Sequence, residues 1–283
     1  MTTEALEPTL EVPPPLERGA VLAPGYEVVR HVSRGRALDV YEVWSDERHS
    51  RCAVKLLRPD CVSNERAWRR LEREGRLLAE FAHPHIVRAY ETIERPDPMV
   101  VLEPVTGETL QRMLRERRRR GPLRPRGPRL SVSELAALGT HLCSAAHYLH
   151  ARGWLHLDFK PANVIAQNGM AKVLDLSHIG NPGRGRKGWG TKIYMAPEQA
   201  RGGVLSEATD VWAIGMILFK AATGRRPFDP NATYPQLERR APRVGDFRRL
   251  PASLSSLIDA CLEPEPELRP TTNDLHRGLD AHV

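Results

Sequence analysis

Three polar side chains stand close together in the stretch Trp154 to Ile165, WLHLDFKPANVI: an acid at Asp158, an amine at Lys160 and an amide at Asn163. Apolar residues flank them and Pro161 breaks any helix, so the pattern describes a polar loop held between two buried segments. A carboxylate, a cation and a hard oxygen so spaced could serve the transfer of a phosphoryl group from ATP to a hydroxyl. The carboxylate would orient the hydroxyl and take its proton, the amine would sit beside the transferring phosphate, and the amide oxygen would bind a metal. A polar turn with no function would look the same. The rest of the chain must decide.

The bulk composition narrows the class. A chain of 283 residues can bury a sizeable core, and its 41% hydrophobic and 27% charged content is close to the globular average. No apolar run approaches the roughly 20 residues of a membrane span, and the acidic, proline-rich start is not a secretory signal, so a cytoplasmic protein with no membrane partner is expected. The net charge of +7 invites a nucleic-acid reading. Much of the excess, however, sits in residues 112–129, with nine arginines, one glutamate and no interleaved aromatics. The expectation there is a solvated Arg/Pro-rich loop, or a site for an acidic or phosphorylated partner, rather than a nucleic-acid surface. Cys52, Cys61, Cys143 and Cys261 are scattered and form no metal-ligand pair.

The elements that must position the loop can be read in order. Residues 1–22 read as a flexible tail, with structure beginning near Tyr26. YEVVRHVSRG, ALDVYEVWSD and RCAVKLLRPD then read as three strands of an antiparallel meander. A helical period follows at Trp68, Leu71, Leu77, Leu78 and Phe81. After the buried run PMVVLEP, a short helix is expected from Glu108 to about Arg118. A longer one, capped by Ser131 or Ser133, carries the stripe Leu135, Leu138, Leu142, Ala145, Ala146 and Leu149. Beyond the loop, Gln167-Asn168-Gly169 signals a hairpin that ends in Asp175-Leu176-Ser177.

Ala53-Val54-Lys55, His83-Pro84-His85, Asp158-x-Lys160-Pro161-x-Asn163, Asp175-Leu176-Ser177, Ala196-Pro197-Glu198, Asp210-Val211-Trp212 and Arg269 occur in that order. In this the chain resembles a Hanks-type serine/threonine protein kinase of the bacterial kind, from about Tyr26 to Arg269. The resemblance implies an α+β fold of two lobes. A small, mostly β N-lobe with one main helix would occupy residues 23–103, and a larger, mostly helical C-lobe residues 104–283. Between them a cleft would gather Lys55, Asp158, Asn163 and Asp175 around one triphosphate and its cation.

The resemblance also assigns roles. Asp158 and Lys160 would be catalytic, and Asn163 and Asp175 would hold Mg²⁺. Lys55, anchored by Glu74, would hold the α- and β-phosphates of ATP. Val40 and Ala53 would line the adenine pocket, with Leu102 as gatekeeper and Ile165 also among the nucleotide-binding residues. The Glu103 carbonyl and the Val105 N–H would hydrogen-bond adenine. Ser33, Gly35 and Leu38 fall at the three glycine positions of the G-x-G-x-x-G loop, where glycines let backbone N–H groups approach phosphate; Ser33 and Gly35 would contact the nucleotide. Gly190-Thr191 and Lys160 fit kinases that accept serine or threonine. Arg269 should pair with Glu198, and Asp210 should brace the catalytic loop.

Departures from the family pattern carry expectations of their own. Only one of the three loop glycines remains, and Ser177 replaces the glycine of Asp-Phe-Gly. Leu157 stands where many kinases have an arginine that binds a phosphate on the activation loop. Between Asp175 and Thr191 the hydroxyl side chains are Ser177 and Thr191 itself, both at structural positions. The expected function is therefore a Mg²⁺- and ATP-dependent kinase of protein substrates, not switched by activation-loop phosphorylation. The alternative is a pseudokinase acting as a nucleotide-binding or scaffolding module. A small-molecule phosphotransferase of the aminoglycoside-kinase type shares the aspartate loop but lacks the Ala-Pro-Glu element and its arginine, both found here.

Overall fold

The computed structural model describes residues 12–94, 98–104, 106–119, 129–167 and 169–283. The chain divides into two compact units. The first runs to Glu80 and takes in Arg88–Val105; the second comprises Phe81–Val87 and Thr106–Val283.

The first unit is a six-stranded antiparallel sheet with one helix. Its strands are β1 (Val21–Ala23), β2 (Tyr26–Arg34), β3 (Leu38–Ser45), β4 (Ser50–Leu57), β5 (Ala89–Ile93) and β6 (Met99–Leu102), in the order β1-β2-β3-β4-β6-β5. Burial alternates along β3, as a sheet with two chemically different faces requires. One face carries the core of Tyr26, Val28, Tyr41, Val43, Cys52, Val54, Met99 and Val101. The helix α1 (Glu65–Glu80) buries Leu71, Leu77 and Leu78 together with Glu74 and Gly75.

Structure starts earlier than the expected tail boundary at residue 22. Strand β1 pairs with β2, Gly19 N–H donates to the Val28 carbonyl (2.8 Å), and Leu16 N–H donates to the Tyr41 hydroxyl (2.9 Å). Prolines block a helix there, but they leave enough backbone donors and acceptors to extend the sheet edge.

The second unit is mainly helical. A three-stranded sheet of β7 (Glu108–Thr109), β8 (Val164–Gln167) and β9 (Met170–Val173) lies beside α2 (Leu110–Arg119). Glu108 and Thr109 were expected to start the helix. They extend instead, because they pair with Ala166 and Ile165 of β8. The long helix α3 (Val132–His150) begins in a capping box made by Ser131 and Glu134, and all six residues of its expected stripe are buried. Strand β10 (Gly183–Arg184), helix α4 (Pro197–Arg201) and strand β11 (Val204–Leu205) follow. Helix α5 (Glu207–Thr223) buries nearly every residue, including Trp212 and Phe219, and packs on α3 and on α6 (Ala252–Cys261). Helix α7 (Thr272–Asp280) packs on α3.

Residues 81–87 belong to this second unit, not to the strand-rich one that the 23–103 boundary would give them. Ala82 N–H donates to the Tyr148 hydroxyl (3.0 Å), Val87 N–H to the Val173 carbonyl (2.8 Å), and Val173 N–H to the His85 carbonyl (2.9 Å). These bonds dock the His83-Pro84-His85 turn on α3 and β9.

Candidate active site

Within the first unit, strand register places the residues expected to bind nucleotide on the sheet face opposite the Tyr41 and Val54 core. Directly paired residues share a face and alternate residues return to it. Val40 pairs with Lys55, Lys55 with Val100, and Ala53 with Leu102, so all five lie on one face. Ser33 pairs with Val40 at the end of β2.

An ammonium on a sheet face needs a counter-charge when it is buried. Lys55 is 9% exposed, and its Nζ lies 2.6 Å from Oε1 of Glu74, itself 1% exposed and projecting from α1. The helix can come this close because residue 75 is glycine. A Cβ there would meet Thr92 Oγ1 at 2.3 Å and Val100 Cγ2 at 2.8 Å.

The turn between β2 and β3 is closed by arginines rather than built from glycines. Arg34 clasps the buried Asp39 through Nε and Nη2, each at 2.8 Å, and Arg58 Nη1 donates to the carbonyls of Gly35 (3.1 Å) and Arg36 (3.2 Å). Burial alone would raise the Asp39 carboxyl, but its hydrogen bonds from Arg34 and His31 outweigh that and hold it below the usual range. Sequence reading missed this clamp, whose only signal is the Arg34 and Asp39 pair flanking the turn.

At the end of β6, Glu103 N–H donates to the Arg88 carbonyl (2.9 Å) and its Oε1 accepts from Arg88 N–H (3.0 Å). Val105, expected to donate to adenine, lies outside the described residues.

The second unit gathers the other expected residues. Asp158 is 3% exposed. Its Oδ2 accepts from Lys160 Nζ at 2.5 Å and from Asn163 Nδ2 at 3.3 Å, and its Oδ1 accepts from Thr191 N–H at 2.9 Å. Lys160 Nζ also donates to Thr191 Oγ1 at 2.9 Å, so one hydroxyl-bearing residue of the activation segment touches both catalytic-loop groups. His178 Nδ1 stands 3.4 Å from Asp158 Oδ2, a neighbour that sequence reading did not single out.

The loop holds its shape through Asp210. That buried carboxylate accepts from the N–H groups of His156 and Leu157, each at 2.8 Å, and contacts His150 Nε2 at 2.9 Å. Burial works against its charge, but the His150 contact and the backbone donors keep its pKa below the ordinary value. Leu157 needs this support because its φ is +63°, in the left-handed region that costs a branched side chain about 1 kcal/mol or more. Its carbonyl accepts from Gln199 Nε2 at 2.8 Å. Gln199 escaped sequence reading because a buried glutamine carries no periodic signal.

A backbone bond ties the Asn163 turn to the segment leading into Asp175. The Asn163 carbonyl accepts from Leu174 N–H at 2.9 Å, which sets Asn163 beside the residue preceding Asp175. Ile165 lies two residues on, in β8. Asn163 Nδ2 is directed at Asp158, so its amide oxygen is the end available to a cation. Asp175 adds a carboxylate, whose Oδ1 also accepts from Ser177 N–H at 2.9 Å. One carboxylate and one amide oxygen suit Mg²⁺, which binds hard oxygens and completes its shell with water and phosphate. No group of three or more His, Cys, Asp or Glu that could hold a metal occurs among the described residues.

Glu198 and Arg269 form a two-pronged buried pair, Nη1 to Oε1 at 2.8 Å and Nη2 to Oε2 at 2.9 Å. It ties the start of α4 to the segment before α7 and closes the activation segment. The family profile of the protein kinase domain matches residues 26–278. The chain belongs to the protein kinase domain family.

Relatives and solved structures agree with this family. The kinase domain is 31% identical over 245 residues to serine/threonine-protein kinase PkaA of Streptomyces coelicolor, covering 80% of this chain and 42% of that protein. It is 33% identical over 220 residues to serine/threonine-protein kinase PknB of Mycolicibacterium smegmatis, covering 73% of this chain and 34% of that one. The chain thus spans about a third to two-fifths of the length of these relatives. The crystal structure of the Mycobacterium tuberculosis PknI kinase domain shares the fold, with a TM-score of 0.72, 24% identity and coverage of 95% of this chain and 100% of that one. No helix among the described residues is long and apolar enough to cross a membrane.

Proposed function

We propose that this chain is a protein serine/threonine kinase that transfers the γ-phosphoryl group of Mg-ATP to a hydroxyl of a protein substrate. The observation that carries the reading is the hydrogen-bonded set of Asp158, Lys160 and Thr191. A carboxylate lying beside an ammonium can orient an incoming hydroxyl and accept its proton, while the ammonium faces the charge that develops on the transferring group. Lys55, kept extended by Glu74, would hold the α- and β-phosphates, and the face shared by Val40, Ala53 and Leu102 would take adenine. Asn163 and Asp175 would hold Mg²⁺, which when bound offsets the negative charge of the phosphates.

The same geometry supports a kinase that needs no phosphate on its activation segment. Leu157 cannot dock one, and its side chain is buried with Leu155 and Leu205.

A second reading, a pseudokinase, is favoured by the clasped β2–β3 turn. Arg34 and Arg58 hold it through Asp39 and two carbonyls of the turn, and Gly35 N–H donates to the Leu38 carbonyl at 2.7 Å, where a glycine-rich loop would turn such an N–H toward phosphate. One experiment separates the two readings. The protein is incubated with Mg²⁺ and labelled ATP in the presence of generic acceptor proteins, followed by phosphoamino-acid analysis, alongside Asp158→Asn. Phosphoserine or phosphothreonine that falls by about 100-fold or more in the variant is the expected result. Equal signals from both proteins would reject catalysis, and phosphotyrosine alone would overturn the serine/threonine assignment.

A further inference from the structure

A positively charged corner adjoins the end of the activation segment, and neither the phosphoryl-transfer groups nor the fold accounts for it. Lys220, in the last turn of α5, is partly buried, and its Nζ donates to the hydroxyl of buried Tyr194 at 3.4 Å. Burial pushes the Lys220 ammonium down to about 8, and the charge that adds to this is another cation, Arg226. Arg226 acts on Tyr194 as well, although burial keeps the phenol above its ordinary value. The nearest acid in sequence, Asp229, spends Oδ1 on the Asn231 N–H at 2.9 Å, and no ion pair to Lys220 or Arg226 occurs among the described residues.

The C-terminal end of a helix favours one cation. That does not explain why Lys220 is partly buried without an acidic partner among the described residues. Lys220, partly buried and bonded to a neutral phenol, bears a desolvation cost, to which the exposed Arg226 adds repulsion, and a bound anion would relieve both.

The corner is also close to the reaction. Tyr194 N–H donates to the Thr191 carbonyl at 2.8 Å, and Thr191 is the residue that touches Asp158 and Lys160. Three residues span at most about 10 Å, so the backbone of Tyr194 lies within that reach of Thr191, and a peptide presenting its hydroxyl to Asp158 would have neighbouring side chains within a few residues of this corner. The backbone there is fixed, since Gln236 Nε2 donates to the carbonyls of Lys192 and Met195, each at 3.0 Å.

We propose that Lys220, Arg226 and the Tyr194 hydroxyl form a recognition site for an anionic side chain, a carboxylate or a phosphomonoester, that flanks the accepting serine or threonine of the substrate. This inference rests on the kinase reading, whose substrate class it narrows to acidic or already phosphorylated segments.

The test uses the full chain with Mg-ATP and threonine peptides carrying glutamate, phosphoserine, alanine or lysine at each of the three positions on either side. An acidic neighbour should raise kcat/KM by about tenfold over alanine at one position, chiefly through KM, which is the effect of one charge-assisted hydrogen bond. The glutamate and phosphoserine arms tell which anion is preferred. Lys220→Met should erase the ratio and Lys220→Glu should invert it toward lysine, whereas Arg249→Met, an exposed control with the same loss of charge, should leave it in place. A wild-type protein indifferent to acid, or Lys220 variants with the wild-type ratio, would overturn the site. Should nothing be phosphorylated, the kinase reading fails by itself, and fluorescence anisotropy with the labelled glutamate and lysine peptides still decides the site. Tighter binding of the glutamate peptide that is lost in Lys220→Glu upholds it, and equal binding rejects it.

Discussion

Leu157 and Leu205 are buried together, with Leu155, in a small apolar cluster directly before the catalytic-loop carboxylate. Leu205 belongs to β11, which pairs with β10 of the activation segment, and a Cβ on Gly185 would come within 2.6 Å of Leu205. Apolar packing therefore fastens the segment beside Leu157, the position at which the resemblance would put a phosphate-binding arginine. Phosphatase treatment of active protein should leave the rate unchanged. Leu157→Arg should lower stability by a few kcal/mol, since it buries a cation with no partner, and should not create phosphate dependence. An essential phosphate mapped to residues 178–190 would refute this account.

Gly75 sets the distance between α1 and the sheet. Alanine would gain about 1 kcal/mol in helix propensity, but its Cβ would lie 2.3 Å from Thr92 Oγ1 and 2.8 Å from Val100 Cγ2. Overpacking of that degree costs about 1–3 kcal/mol and moves the helix outward. The 2.6 Å Lys55–Glu74 pair would lengthen with it. Gly75→Ala should therefore lower kcat/KM by about tenfold or more with a modest loss of Tm, and adding Thr92→Ala should restore part of the rate. Unchanged kinetics in the single variant would show that the helix position does not govern Lys55.

These contacts mark what the sequence could and could not disclose. The meander, the helix bearing Glu74 and the α3 stripe were legible because period-2 and period-3.6 burial is written into residue order. The set around Asp158 was legible through motif spacing. The clamp of Arg34 on Asp39, the seat of Gln199 on Leu157 and the approach of His178 to Asp158 were not, since each joins single residues through tertiary contacts that leave no period. Prolines near the start exclude a helix, but they do not prevent an edge strand such as Val21–Ala23.

The Glu198–Arg269 pair offers a stability test that is independent of activity. Both residues are under 10% exposed, and Arg269 also donates to the carbonyls of Glu263, Ala208 and Pro264 at 2.7, 2.9 and 2.9 Å. Removing one partner leaves an uncompensated buried charge, so Arg269→Met should cost about 3–5 kcal/mol in urea unfolding. Arg269→Lys should recover little, because an ammonium cannot reproduce the fork. The double variant Glu198→Gln with Arg269→Met should be less destabilised than the two single losses summed. Strict additivity in that double-mutant cycle would mean the pair contributes no coupling.

Acid sensitivity should trace in part to the histidines docked on α3. Burial, with the neighbouring His85 adding to it, pushes His83 and His141 down to about 4. Both accept a backbone N–H at Nδ1, from His85 and Ala171 respectively, each at 3.2 Å, which a protonated ring cannot do. In the unfolded chain they would titrate near 6.5, so below that pH the unfolded state binds more protons than the native one. Stability must then fall as pH drops from about 6.5 toward 4, and these two groups contribute no slope above 6.5. Carboxylates held low in the native state, such as Asp39, add a loss of the same sign at lower pH. The comparison that isolates the histidines is urea unfolding at pH 7 and pH 5 for wild type and for His83→Asn with His141→Asn. The variant should show the shallower fall between the two pH values, and identical slopes would assign the acid sensitivity elsewhere.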